Sequence, residues 1–302
     1  MSRRKLSYLL PIPAFAVIAA LAVPARAQIT HLEALSIDGT QEVPPVATAA
    51  SGRGDFVLNT FNHTLKYNVS FQNLSSPQVS AHIHQGAPGV AGGIVFVYPN
   101  GTPISGTFAT TAGQEATLLA GNMYTNIHSQ NFGGGEIRGQ MTAAPATGTP
   151  FCFGDGTGMA CPCSNSGTAG HGCENSSTTG GALLTASGHN SPDNIVLVAT
   201  QEKPSAFTIF LQGNQMIAPI NFGDGLRCVG GQLKRLASKN ATGGAVAFPE
   251  GAEPSITARS AALGDNIVPG QKRWYLTYYR DADMTFCPSA TFNSSQSLEI
   301  QW

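Results

Sequence analysis

All six cysteines of the chain lie in its second half, at Cys152, Cys161, Cys163, Cys173, Cys228 and Cys287. That placement constrains the fold more than any other feature, because cross-links fix which distant segments meet. A Cys-x-Cys pair cannot easily close on itself, so Cys161 and Cys163 take different partners. Locality in the chain favours Cys152–Cys161, Cys163–Cys173 and Cys228–Cys287, one of many pairings that six cysteines allow. A zinc site built from the Cys-x-Cys pair and His171 is the rival reading. An even cysteine count in an exported chain speaks for disulfides instead. The first half has no cysteine and is left to hold itself together by burial alone. Between the halves lies TAAPATGTP, small, uncharged and Pro-containing. The contrast predicts a first domain at 28–143, a linker at 144–150 and a second domain at 151–302.

Export is read from the N-terminus. Arg3, Arg4 and Lys5 precede a mostly apolar run from Leu6 to Val23, and Ala25-Arg26-Ala27 has the small-x-small form of a cleavage site. Residues 1–27 therefore predict a secretory signal peptide, and a mature chain that is periplasmic, at the cell surface or secreted. The whole chain has 16 Lys+Arg and 17 Asp+Glu. Cleavage removes Arg3, Arg4, Lys5 and Arg26 and no acidic residue, leaving 12 basic against 17 acidic, a net of −5. With no basic run, a nucleic-acid partner has no electrostatic support. No later segment approaches the roughly 18 apolar residues of a membrane-spanning helix, so the mature chain predicts no transmembrane span. The class of partner left open is an extracellular protein or a glycan.

Charged residues make up only 11% of the chain, against 35 Gly and 19 Pro, a balance that favours strands and tight turns over helices. In HTLKYNVSFQNL, Leu65, Tyr67, Val69 and Phe71 alternate with Lys66, Asn68, Ser70 and Gln72, the period of a half-buried antiparallel strand. GGIVFVYPNG and GEIRGQMTA predict further strands in the first half. DNIVLVAT, AFTIFLQG, GQLKRLAS, KRWYLTYYR and SLEIQW predict them in the second. Only GQEATLLAGNMY reads as helix, with Leu118 and Leu119 on one side and Gly121 to end it. Many short strands and few helices predict an all-β chain of two antiparallel β-sandwich domains, the second stapled by disulfides.

Three stretches of the first half, LSIDGTQEVPPVATAASGRGDFVL, SAHIHQGAPGVAGGIVF and LLAGNMYTNIHSQNFGGGEIRGQM, resemble in order the successive signatures of the CHRD domain. That module is named for chordin and is common in secreted bacterial proteins. The resemblance covers roughly Leu32 to Ala143. It implies an immunoglobulin-like or superoxide-dismutase-like β-sandwich and assigns no activity. The second half resembles a Cys-rich module of unassigned function that closes many exported bacterial proteins.

Within the resemblance, the sharpest chemical feature is His82-Ile83-His84. On a strand, both imidazoles face the same way, about 6.5–7 Å apart along the backbone. Two such rings can converge on one ion at about 2.0–2.1 Å per nitrogen. His128, in YTNIHS, matches the family's other recurrent histidine, and the superoxide dismutase family also has a His-x-His strand. A carboxylate is available from Glu136 or from Glu42. The candidate metal set is His82, His84, His128 and Glu136, and it suits Cu or Zn. The bland alternative is a hydrogen-bonded network that fixes strand register, with Glu136 paired to Arg138 and Glu42 to a histidine or to Arg138. Both readings require the cluster. Both also end the strand at Gly86, because Gly86, Pro88 and Gly89 punctuate the chain there.

No G-x-S-x-G elbow, H-E-x-x-H helix or P-loop is present, and no catalytic residue is assigned. FGDG occurs at Phe153–Gly156 and at Phe222–Gly225, where Asp155 and Asp224 read as turn formers rather than calcium ligands. The leading reading is an exported binding or structural protein without enzymatic activity. The alternative is a Cu- or Zn-binding protein, or a copper-type redox enzyme, using the His-x-His strand.

Overall fold

The alternating runs of the first half become the strands β1 (Ile29–Asp38), β2 (Ser51–Asn59), β3 (Thr64–Gln72), β4 (Gln78–Gln85), β5 (Ile94–Val97), β6 (Ile104–Ala109), β7 (Met123–Ser129), β8 (Ile137–Gln140) and β9 (Thr142–Ala143). The structure, a computed structural model, describes residues 28–288 and 290–302, so the signal-peptide reading at 1–27 lies outside the described residues. The strands form one antiparallel sheet in the order β5-β4-β7-β8-β1-β2-β3-β6, with β9 on β1. Leu65, Tyr67, Val69 and Phe71 are all buried, as the period of two requires. They share a core with Leu32, Phe56, Ile83, Ile127 and Ile137. Full burial of side chains of this size stabilises by roughly 1.5–3 kcal/mol each. Bulges in β1 and β4 bend the sheet, and its end strands meet. Phe96 of β5 stacks on Phe108 of β6 at 4.5 Å between centroids. The sheet thereby wraps around its own core as a β-sandwich.

The helix α1 (Ala112–Leu119) ends just before Gly121, which takes a φ of +70° as the terminating glycine. Thr111 and Gln114 form a reciprocal capping box at its start. Leu118 is buried and Leu119 is exposed, because successive residues on a helix lie about 100° apart and do not share a face. Met123 and Tyr124, beyond Gly121, open β7.

The second half contains β10 (Ala146–Thr147), β11 (Thr149–Phe151), β12 (Leu183–Ser187), β13 (Val196–Thr200), β14 (Phe207–Gly213), β15 (Gln215–Phe222), β16 (Gly225–Gly230), β17 (Lys234–Asn240), β18 (Val246–Phe248), β19 (Lys272–Arg280), β20 (Phe292–Ser294) and β21 (Ser297–Gln301). One sheet runs β10-β12-β13-β18, a second runs β11-β21-β19-β14-β17 with β20 on β19, and β15 and β16 form a hairpin. Leu184, Leu197, Phe210, Leu236, Tyr275, Ile300 and Trp302 share its main core. A second helix, α2 (Ile256–Ala262), was not anticipated. Ser255 caps it by accepting from the Ala258 backbone.

Two expectations are corrected. The disulfides join Cys152 to Cys228, Cys161 to Cys173 and Cys163 to Cys287. Locality failed because strand pairing brings β16 and the segment after β19 against the Cys-rich loop. Cys161 and Cys163 do take different partners, and no cysteine is free for zinc. The segment 144–150 is not bare linker either. Ala146 and Thr147 pair with β12, and Thr149–Phe151 with β21. Both FGDG stretches are turns: the pairing of Phe222 with Gly225 leaves Gly223-Asp224 as a two-residue hairpin turn, and Asp155 accepts from Thr157 and Gly170 backbone N–H groups.

The two halves touch. Ile29 and Val57 pack with Val196, Val198, Ala245 and Ala247. Asn194 Nδ2 donates to both Glu33 Oε2 and Asp55 Oδ1, at 2.8 and 2.9 Å. Lys66 pairs with Glu250 at 2.9 Å. No helix among the described residues is long and apolar enough to cross a membrane.

Candidate metal centre

Alternation along β4 decides the site. Ala81 and Ile83 are fully buried in the core, so His82 and His84 project from the other face of the sheet. The strand ends at Gln85, immediately before Gly86. β7 then pairs Ser80 with His128, His82 with Asn126 and His84 with Tyr124. β8 places Arg138 opposite Asn126 and Gln140 opposite Tyr124. The outer face of an antiparallel sandwich is ordinarily solvated and polar. Here the polar residues are covered: His84, His128, Asn126 and Arg138 are 8%, 6%, 3% and 2% exposed. The loop 86–93, the turn 130–136 and the chain around Glu42 fold over them.

The three imidazoles converge. His82 Nδ1 lies 3.1 Å from His128 Nε2. One donor nitrogen from each ring lies within 4.8 Å of the other two. His84 Nδ1 donates to the Gly92 carbonyl at 2.9 Å, and His128 Nδ1 to the Gly133 carbonyl at 3.1 Å. Each of these bonds leaves the ring's Nε2 as a bare lone pair. His128 Nε2 accepts from His82. His84 Nε2 is buried with no partner among the described residues. Anchoring one ring nitrogen on a backbone carbonyl is how proteins orient metal-ligating histidines. A Cu or Zn shell at about 2.0–2.1 Å needs donors about 3.3–3.6 Å apart. Closure around an ion therefore requires a contraction of roughly 1 Å.

Electrostatics keeps these rings neutral. Burial holds all three below the ordinary imidazole range. His82 is lowered further by the neighbouring His128 and His84, His84 by the charge of Arg138, and His128 by His84. The carbonyl bonds of His84 and His128 oppose the shift without reversing it. Neutral rings have lone pairs to offer.

Orientation comes from the neighbours. The Tyr124 ring stacks on His84 at 5.0 Å and 6°, and its hydroxyl accepts from the Gly92 N–H at 3.1 Å. Arg138 lies over the same Tyr124 ring at 3.5 Å. Its guanidinium donates to the carbonyls of Val90 and Ala87 and to Gln140 Oε1, which pins the loop that carries Gly92. A Cβ at position 92 would sit 1.6 Å from the Gln85 carbonyl oxygen, so only glycine passes there.

Glu136, expected as a fourth ligand, is not brought into the cluster. Its carboxylate accepts from Thr48 Oγ1 at 2.6 Å and from the Ser75 backbone and hydroxyl at 2.8 and 3.1 Å. Burial pushes its carboxyl up, and hydrogen bonds from these donors outweigh burial and hold it below the usual range. Glu136 does not pair with Arg138. Glu42 lies alongside: Asn126 Nδ2 faces its Oε2 at 3.5 Å, and Oε1 is buried without a partner among the described residues. Burial pushes the Glu42 carboxyl up to about 7 despite Arg138. Tyr124, Asn126 and Gly92 were missed from sequence. The signal was the alternation Tyr124-Thr125-Asn126-Ile127-His128, which places three polar side chains on one face.

The fold and the site define an antiparallel β-sandwich carrying a three-histidine centre on a covered outer face. Residues 34–141, about a third of the chain, match the CHRD domain family. No curated protein and no solved structure matches the chain.

Proposed function

We propose that the chain is an exported binding protein whose CHRD-type domain holds one transition-metal ion, Cu or Zn, between His82 Nδ1, His84 Nε2 and His128 Nε2. The observation that carries this reading is the buried, unpartnered Nε2 of His84. Leaving such a nitrogen unsatisfied costs about 1–3 kcal/mol, and an ion in the shared space would satisfy it. A bound ion would supply Lewis-acid or redox character. The residues bind and orient it: Gly92 and Gly133 fix two rings, and Tyr124 stacks behind one of them. The ring contacts are carbonyls, an aromatic face and each other, which supports binding rather than catalysis. Complete cysteine pairing supports an oxidising location.

A purely structural network is favoured by the His82–His128 hydrogen bond, yet it leaves His84 Nε2 unexplained. Metal content separates the two. Mature protein purified from a metal-replete culture should carry close to one equivalent of transition metal, and folded His84→Ala should carry almost none. Less than about a tenth of an equivalent in folded wild type would remove the metal reading.

A further inference from the structure

Building on the three-histidine reading, we propose that the centre prefers a monovalent ion, copper as Cu(I), and that Arg138 is the residue that sets this preference. Arg138 is 2% exposed, and a guanidinium stays charged at any working pH. Its hydrogen-bond partners are all neutral: two backbone carbonyls and the Gln140 amide. Among the described residues no carboxylate lies within ion-pair distance of it. Glu42 acts on it only from further away.

The guanidinium carbon is 3.5 Å from the Tyr124 centroid, and that centroid is 5.0 Å from the His84 ring. The two steps together bound its distance from the His84 ring centroid at 8.5 Å. Tyr124, whose ring touches both, is 3% exposed, and charges in such buried surroundings are weakly screened. Three imidazoles contribute no negative charge, and Glu136 is committed elsewhere. The complex therefore keeps the full charge of its ion. A fixed positive charge repels a dication twice as strongly as a monocation at the same distance. The centre accordingly discriminates by charge: Cu(I) is penalised least, and Cu(II) and Zn(II) are penalised alike.

The test uses the full mature chain, stripped of metal. Cu(I) is titrated anaerobically against a chromophoric Cu(I) chelator, and Cu(II) and Zn(II) against chelators of their own. Wild type should bind Cu(I) more tightly than Zn(II). Arg138→Gln should lower the Cu(I):Cu(II) affinity ratio about tenfold, a fall of about 59 mV in the one-electron potential of bound copper. Arg138→Lys, which keeps the charge, should leave the ratio close to wild type. Glu42→Gln, measured well above pH 7 where that carboxyl carries its charge, should raise it. An unchanged ratio in folded Arg138→Gln, or Zn(II) bound more tightly than Cu(I) by wild type, overturns the preference and leaves the three-histidine site standing. If Arg138→Gln does not fold, an unchanged ratio in Glu42→Gln overturns it instead. Wild type that binds none of the three ions overturns both the preference and the site.

Discussion

Gly92 has no side chain, yet it fixes His84 from two directions, through its carbonyl and through its N–H bond to Tyr124. Gly92→Ala forces the loop off Gln85. It should cost 10- to 100-fold in metal affinity, the usual price of losing an outer-shell partner. Because that loop also holds the carbonyl partners of buried Arg138, the thermal midpoint of metal-free protein should fall as well. Competition titration and calorimetry on the same sample check both. Acidification gives a second residue-scale outcome. Because the three imidazoles are held below the ordinary value of 6.5, protons should displace half the bound metal only below about pH 6.5. A third concerns Glu202, 1% exposed in the second half. Burial pushes its carboxyl up to about 8 from an ordinary 4.5, and Asp224 moves the same way, to about 6. A folded-state value above the unfolded one means that the folded chain holds the proton more tightly. Stability from this source is complete below about pH 4.5 and is lost as pH rises through 8. Denaturation midpoints of the second half should fall between pH 5 and pH 9, and Glu202→Gln should flatten that slope.

At the scale of elements, strands were legible and their partners were not. The period of two fixed which side of β3 faces inward and put His82 and His84 on one face, because alternation is local. His128 joined them through a family resemblance. Nothing in the sequence said that loop 86–93 would cover that face, so the burial of Arg138 and the role of Gly92 were invisible. Glu136 was assigned to the wrong task for the same reason: Thr48 and Ser75 reach it from loops far away in sequence. The disulfides repeat the lesson, since pairing by proximity in the chain ignores how sheets bring distant segments together. Helix α1 was legible in kind, while its capping box between Thr111 and Gln114 came only from the structure. Thr111→Ala should destabilise the first half by about 0.5–2 kcal/mol, measured by denaturant titration.

In the whole molecule, the cysteine contrast between halves coexists with a shared apolar contact. Ile29 and Val57 pack against Val196, Val198 and Ala247 across the junction, and Lys66 reaches Glu250. Loss of native disulfides from a small domain costs about 2–5 kcal/mol. Reductant should therefore abolish cooperative unfolding of the second half. It should also lower the transition of the first half modestly, because that half loses its covered edge. A first-half transition that does not move at all would mean that the junction contributes nothing to stability.

An ion held between His82, His84 and His128 has its own signature in histidine-selective NMR. The chain has seven histidines. Metal-free mature protein labelled with 15N at histidine is titrated with Zn(II) or with Cu(I), both diamagnetic. The ring nitrogens of His82, His84 and His128 should shift together and saturate at one equivalent, with His82 responding at Nδ1 and the other two at Nε2. His31, His63, His171 and His189 should stay in place. Shifts spread over all seven rings, or no shift at His84 Nε2 at one equivalent, would contradict the account.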